Sequence, residues 1–393
     1  VVDSARRRRR RSRSRDGGGS AGAPKGAGRQ GGGQAGKNAQ GVNGTPAAES
    51  LSGAARPAPE RLAALDLGTN NCRLLIAAPR GRKLRIIDAY SRIVRLGEGL
   101  SHTGVLAPAA MARTLDALKA CAEKIEKRGV TRLRCIATQA CRAAENGEAF
   151  LARVKEETGL AFEVISESEE ARLAVRGCAE LLDPGAQAGL VFDIGGGSTE
   201  ISWIRPGRNG AGPETVAWVS LPVGVVSLSE RWNGREIDAR TYGAIVEEVR
   251  RMIAGFGDPG GLRGLFEQDA AHFVGTSGTV TSIAGVHLGL PRYRRDRVDG
   301  LWLSSEEARA VSERLRAMSF HARAGEPCIG LERADLVVCG CAILEALLQE
   351  WPARRIRVAD RGLREGMLAD LLDAATRARR RRKRARARRA AAK

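Results

Sequence analysis

One short unit occurs twice in this chain, and it limits the folds available more than any other feature. Leu190 to Ile204 reads L-V-F-D-I-G-G-G-S-T-E-I-S-W-I: an apolar strand run, an acid, three glycines, two hydroxyls, a second acid, a second strand. Leu62 to Ala77 reads L-A-A-L-D-L-G-T-N-N-C-R-L-L-I-A. Setting Asp66 on Asp193 puts Gly68 on Gly195 and the run Leu74, Leu75, Ile76 on the second strand. Two copies of a strand, acid, loop and strand, about 130 residues apart, predict duplicated α/β domains facing each other across a cleft.

The loops have the composition of phosphate sites. Gly195, Gly196 and Gly197 let the backbone turn sharply and bring N–H groups close to an anion, and Ser198 and Thr199 add hydroxyl donors. Asp193 and Glu200 flank the loop where a divalent ion would neutralise phosphate. A plain hairpin with a glycine turn would show the same glycines; the flanking acids and the repeat favour the phosphate loop. A third glycine turn, Phe273 to Gly278, precedes a helix-like segment, Thr279 to Leu288, so its N–H groups are expected at a helix N-terminus.

Charge is distributed unevenly. Residues 1–60 hold 12 Lys and Arg against 4 acids, residues 377–393 hold 11 against none, and residues 61–376 hold 42 against 41. The high isoelectric point belongs to the ends, and net charge gives no support for a basic nucleic-acid-binding body. Residues 1–60 are Arg-, Gly- and Ala-rich with few larger apolar side chains, the composition of a disordered tail. Such an arm either contacts a polyanion, RNA among the candidates, or is merely solvated. The basic segment 377–393 reads the same way, or as a helical extension held by an anion.

The eight cysteines are scattered without a C-x-x-C pair, and four histidines make a zinc site a poor reading; buried reduced thiols in a cytoplasmic protein are expected. No apolar run approaches the roughly 18 residues of a membrane span, and no apolar segment follows the N-terminal arginines as in a secretory signal.

Between these features, helices and strands alternate. Helical spacing covers Pro108 to Arg128, Phe150 to Thr158, Tyr242 to Phe256, Ser304 to Met318, Asp335 to Trp351 and Arg364 to Leu372; strands are read at Leu84 to Tyr90, Leu133 to Ala137, Ala161 to Ile165, Val216 to Leu221 and Ile356 to Val358. This predicts an N-terminal α/β domain over 61–185 and a second over 186–376, with a hinge near Asp183 to Gly189. Ser166 and Glu169 fit a capping box at the head of a helix running to Leu182. Acids in that first turn serve either the cap alone or as a proton acceptor beside the cleft.

Taken in order, A-L-D-L-G-T-N-N, A-T-Q-A-C-R-A-A-E-N-G, S-E-S-E-E-A-R-L, D-I-G-G-G-S-T-E, G-T-S-G-T and G-L-R-E-G-M-L resemble the exopolyphosphatase / guanosine pentaphosphate phosphohydrolase family, in its short two-domain form. The resemblance covers Leu62 to about Leu372 and implies two actin-like ATPase / ribonuclease H-like domains around a central cleft. It implies Glu170 as general base, Arg142 as a phosphate-holding arginine, and Asp66, Asp193 and Glu200 as acids of a metal and water site for Mg2+ or another divalent cation. It also implies phosphate contacts from Thr69, Asn70, Asn71, Gly195, Gly196, Gly197 and Ser198, and from the third turn, Gly275, Thr276, Ser277 and Gly278. Asn71 stands where many members carry Ser.

The expected activity is hydrolysis of a phosphoanhydride, with polyphosphate or guanosine pentaphosphate as substrate and a homodimer as a family possibility. That chemistry needs charge neutralisation, a positioned water and a proton acceptor, and the three constellations match those needs. A sensor or scaffold with little turnover, and a nucleotide-driven ATPase or sugar kinase, are the alternatives; the retained acids speak against the first and the E-E-A-R-L segment against the second.

Overall fold

The computed structural model describes residues 60–391 apart from 82 and 208–211; all but the last residue of the N-terminal tail read at 1–60 lies outside the described residues. The first sheet contains β1 (Leu62–Leu67), β2 (Asn71–Arg80), β3 (Lys83–Ile93), β4 (Arg132–Ala137) and β5 (Glu163–Val164), in the order β3-β2-β1-β4-β5. The second contains β6 (Ala188–Ile194), β7 (Thr199–Arg205), β8 (Glu214–Leu221), β9 (Ala271–Thr276), β10 (Trp302–Ser304) and β11 (Arg355–Ala359), in the order β10-β11-β9-β6-β7-β8. Each opens with an antiparallel meander and continues with parallel strands on the other side of its first strand. The duplicated α/β architecture expected from the repeat is therefore present strand for strand, with β10 as an addition to the second sheet.

Side chains alternate across these strands, as the two-residue period requires. Ala63, Leu65 and Leu67 of β1 pack with Leu115, Leu118 and Cys121 of the helix Pro108–Lys127, while Leu62 and Ala64 pack on the opposite face with Leu363, Met367 and Leu368. In β6, Leu190, Phe192 and Ile194 face the larger core, and Val191 faces Val175, Cys178 and Leu181. Both sheets are thus covered on both sides.

Two helices join the halves. Glu167–Cys178 lies on the inner face of the second sheet, and Leu363–Ala391, though it follows that sheet in the chain, packs on β1 and β2 of the first. They cross closely because glycine stands at the contact. A Cβ on Gly366 would run into the carbonyl of Leu173, and one on Gly177 into the carbonyl of Gly362. On the other side of the cleft, Arg95 spans the halves, donating from both terminal nitrogens to Asp335 at 2.9 Å, while Glu230 accepts from the Gly99 N–H at 2.7 Å and the Ser101 hydroxyl at 2.9 Å.

The C-terminal basic segment corrects the reading of a disordered tail, since 377–391 continues the last helix. Ala and Arg are strong helix formers, and the segment grows from turns already held by packing through Ala375, so no new nucleus is needed. The capping box is also only half made. Ser166 accepts from the Glu169 N–H at 3.2 Å, but the Glu169 carboxylate turns instead to Arg134 and Arg172. No helix among the described residues is long and apolar enough to cross a membrane. All eight cysteines are buried and free.

Candidate active site

Both loops close in the same way. The Gly68 N–H donates to the Asn71 carbonyl at 2.9 Å, and the Gly195 N–H to the Ser198 carbonyl at 2.9 Å. The three glycines of the second loop are there for proximity rather than for left-handed backbone, since none has positive φ. A Cβ on Gly196 would lie 2.9 Å from Thr69 Cβ, and one on Gly197 would overlap the Gln139 amide. The two loops therefore meet across the cleft, and Thr69 is held by a 2.9 Å hydrogen bond to Gln139 Oε1.

Between them lies a cavity of about 620 Å³. Of the residues expected from sequence, Asp66, Thr69, Asn70, Asn71, Glu170, Asp193, Gly195, Gly196, Gly197, Ser198, Thr276, Ser277 and Gly278 line it. Ser277 caps the helix Gly278–His287 by accepting from the Val280 N–H, which aims the head of that helix at the cavity. Three expected residues stand back from the wall. Gly275 lies within β9, where a Cβ would lie 2.6 Å from the Phe192 ring; close packing accounts for it. Glu200 sits behind the loop, 3 % exposed, accepting from the Ser220 hydroxyl at 2.8 Å. Arg142 lies behind Glu170, donating to its carboxylate at 3.3 Å and to the Ile165 carbonyl at 2.8 Å.

The two neighbouring glutamates have separate places. Glu169 is bound in ion pairs to Arg172 at 2.6 Å and Arg134 at 3.0 Å, so its charge is used in holding the helix. Glu170, one residue on, is 8 % exposed and borders the cavity. Burial, then the negative charge of Glu200, pushes its pKa to about 9, against the pull of Arg142. Asp193 is raised to about 8, by burial and then by Glu200. Asp66 is raised by burial, against the pull of Arg73 and Arg364, and Glu200 is raised by burial too. Four carboxylates resist ionising together, so the site is built to receive positive charge.

Sequence reasoning missed that part of this positive charge is already supplied by the protein. Arg73, Arg295, Arg333, Arg361 and Arg364 line the same cavity. The repeat held the signal for Arg73, which is seven residues beyond Asp66 as Glu200 is beyond Asp193. Arg364 lay in the quoted G-L-R-E-G segment without a role.

Among the described residues no group of three or more His, Cys, Asp or Glu side chains is arranged as a metal cage. The donor set nevertheless suits a hard cation, because Mg2+ is typically held by one or two carboxylates together with substrate phosphate. Asp66 offers a buried Oδ1 with no hydrogen-bond partner, next to Asp193 in the cavity wall.

Glycine loops from two duplicated α/β halves, converging with buried acids and arginines on one cavity, describe a protein of the phosphoryl-transfer class. The chain belongs to the Ppx/GppA phosphatase family, which it matches over residues 75–375. It is 33 % identical over 325 residues to Exopolyphosphatase 2 of Mycobacterium tuberculosis, covering 79 % of this chain and 98 % of that one. The Aquifex aeolicus Ppx/GppA family member superposes with a TM-score of 0.67 at 29 % identity, covering 80 % of this chain and 98 % of that structure. An exopolyphosphatase from Cytophaga hutchinsonii shares the fold, with a TM-score of 0.71 at 24 % identity over 80 % of this chain and 98 % of its own. The protein is thus a phosphatase-type hydrolase.

Proposed function

We propose that this chain removes the terminal phosphate of inorganic polyphosphate, with Glu170 as the base that activates water. The observation that carries the reading is the division of labour between Glu169 and Glu170: one is neutralised by arginines, the other is left at the cavity wall with Arg142 fixing its orientation. In the reaction, the water oxygen bonds to the terminal phosphorus, its proton passes to a Glu170 carboxylate oxygen, and the bridging P–O bond breaks. The shortened chain leaves with the bridging oxygen. The loop amides and hydroxyls of Thr69 to Asn71 and Gly195 to Ser198 hold the terminal group, and Arg73 and Arg364 offset its charge.

Asp66 and Asp193 are the residues to hold a divalent cation, Mg2+ first among the candidates. When bound, the cation supplies further neutralisation of phosphate oxygens. Glu170 acts only in its ionised form, so neutralising its negative neighbours Glu200, Asp66 and Asp193 favours its function.

A second substrate is favoured by one feature. Tyr293, Pro327, Cys328 and Ile329 give the cavity an apolar wall unlike the polar loops, suited to a nucleoside such as that of guanosine pentaphosphate. Phosphate release from long-chain polyphosphate and from guanosine pentaphosphate, with Mg2+, tests both. Faster release from the polymer supports the first reading, and faster release from the nucleotide the second. Tight binding without release from either would make the protein a sensor.

A further inference from the structure

The last helix outruns the body it packs on. Its residues through Ala375 are held against the first sheet and the helix Glu167–Cys178, and from Arg379 onward every described side chain is exposed. Ten Arg and Lys and no acid stand in 377–391. Among the described residues, the only ion pair of this stretch joins Arg379 to Glu60 at 3.7 Å. At a rise of about 1.5 Å per residue this is roughly one positive charge every 2 Å, comparable to the ~1.7 Å charge spacing of a nucleic-acid duplex.

Two points along the helix fix its course. Arg364 lines the cavity, and Arg379 pairs with Glu60, just before β1. The helix therefore runs antiparallel to β1, from the loops to the opposite pole, and places its basic run about 20–40 Å of helix from Arg364. The chemistry of the run is equally narrow, since it contains only Ala, Arg and Lys. It has no apolar stripe for a bilayer and no aromatic ring on which a base could stack; its guanidinium and ammonium groups bind the phosphate oxygens of a polyanion, and Arg also reaches guanine edges. Among polyanions, the one that the proposed activity brings to this chain is a flexible run of phosphates whose end occupies the cavity lined by Arg364, at the head of the same helix.

We propose that the helical segment 377–391 is an exosite for the distal part of a long polyphosphate whose end occupies the cavity. The proposal rests on the polyphosphate reading above. A polymer bound at the exosite is tethered to the enzyme, so its free end reaches the cavity at a raised effective concentration. Short chains cannot span both places and gain nothing.

The test replaces Arg379, Arg380, Arg381, Arg382, Lys383 and Arg384 together by Gln, a residue that keeps the helix, in the full chain. Affinity for long-chain polyphosphate is measured at low and high salt with Glu170→Gln added to both proteins, so that binding is read without turnover. KM and kcat are measured without that change, on long-chain polyphosphate and on tripolyphosphate. The expected result is an affinity loss of about tenfold for the long chain at low salt, with a flatter salt dependence. A matching rise in KM at unchanged kcat, and unaltered kinetics on tripolyphosphate, belong to the same result. Equal long-chain affinity in the two proteins overturns the exosite. So does loss of duplex RNA binding with polyphosphate affinity retained, which would make the helix a nucleic-acid surface. If the unsubstituted chain releases no phosphate but the affinity loss is found, the hydrolytic reading fails and the exosite stands.

Discussion

Arg73 and Glu200 occupy the same position in the two hairpins, Arg73 opposite Asp66 in the register of β1 and β2, Glu200 opposite Asp193 in that of β6 and β7. Duplication has thus been followed by a change of sign at one position. In the second half two acids stand side by side, and in the first an acid faces a cation. Arg73 draws down the pKa of both Asp66 and Asp193, so it acts across the cleft as well as within its own hairpin.

Arg73→Ala is expected to lower kcat/KM for polyphosphate by about 10²-fold, the usual effect of removing one charge-stabilising group from a phosphoryl site. Steady-state kinetics at constant pH checks it. Retention of full activity would mean that Arg73 serves only to hold Asp66.

With Glu170 as the proposed base, the pH profile follows from Glu170 and Arg142. A base acts unprotonated, so activity rises with pH through its pKa and is lost below it. Burial sets that value high and Arg142 draws it down. Arg142→Ala is therefore expected to move the acid limb of kcat/KM to higher pH, and Arg142→Lys to move it less. A limb that does not move in Arg142→Ala would assign the controlling group elsewhere.

Gly366 ties stability to the site. Its missing side chain lets Leu363–Ala391 lie against Glu167–Cys178, and these helices bring Arg364 and Glu170 to the cavity. Gly366→Ala is expected to force the helices apart, with a destabilisation of about 1–3 kcal/mol typical of overpacking and a fall in kcat beyond the loss of folded protein. Thermal unfolding together with kinetics normalised to folded protein checks both. Gly243→Ala, at an exposed helix position where a Cβ meets nothing within 4 Å, is the control and is expected to raise stability by up to about 1 kcal/mol and leave kcat unchanged.

The duplicated halves could be read from residues because the acid, the glycine and the two apolar runs are all local. Other features depend on contacts between distant segments. The roles of Glu169 and Glu170 separate only when Arg134, 35 residues earlier in the chain, arrives beside Glu169. The near-neutral charge of 61–376 concealed five arginines gathered on one cavity, because a sum over residues carries no positions. Gly275 resembled a phosphate turn from its neighbours, yet the ring it packs against, Phe192, comes from another strand. The C-terminal helix was obscured by a balance between helix propensity and self-repulsion, which the packed turns before it decide.

The most direct measurement is phosphate release from long-chain polyphosphate with Mg2+ by the protein and by Glu170→Gln, both shown to be folded. A positioned general base contributes about 10²–10⁴-fold, so Glu170→Gln is expected to lose that much in kcat with substrate binding retained. A Glu170→Gln protein that releases phosphate at the parent's rate would contradict that role.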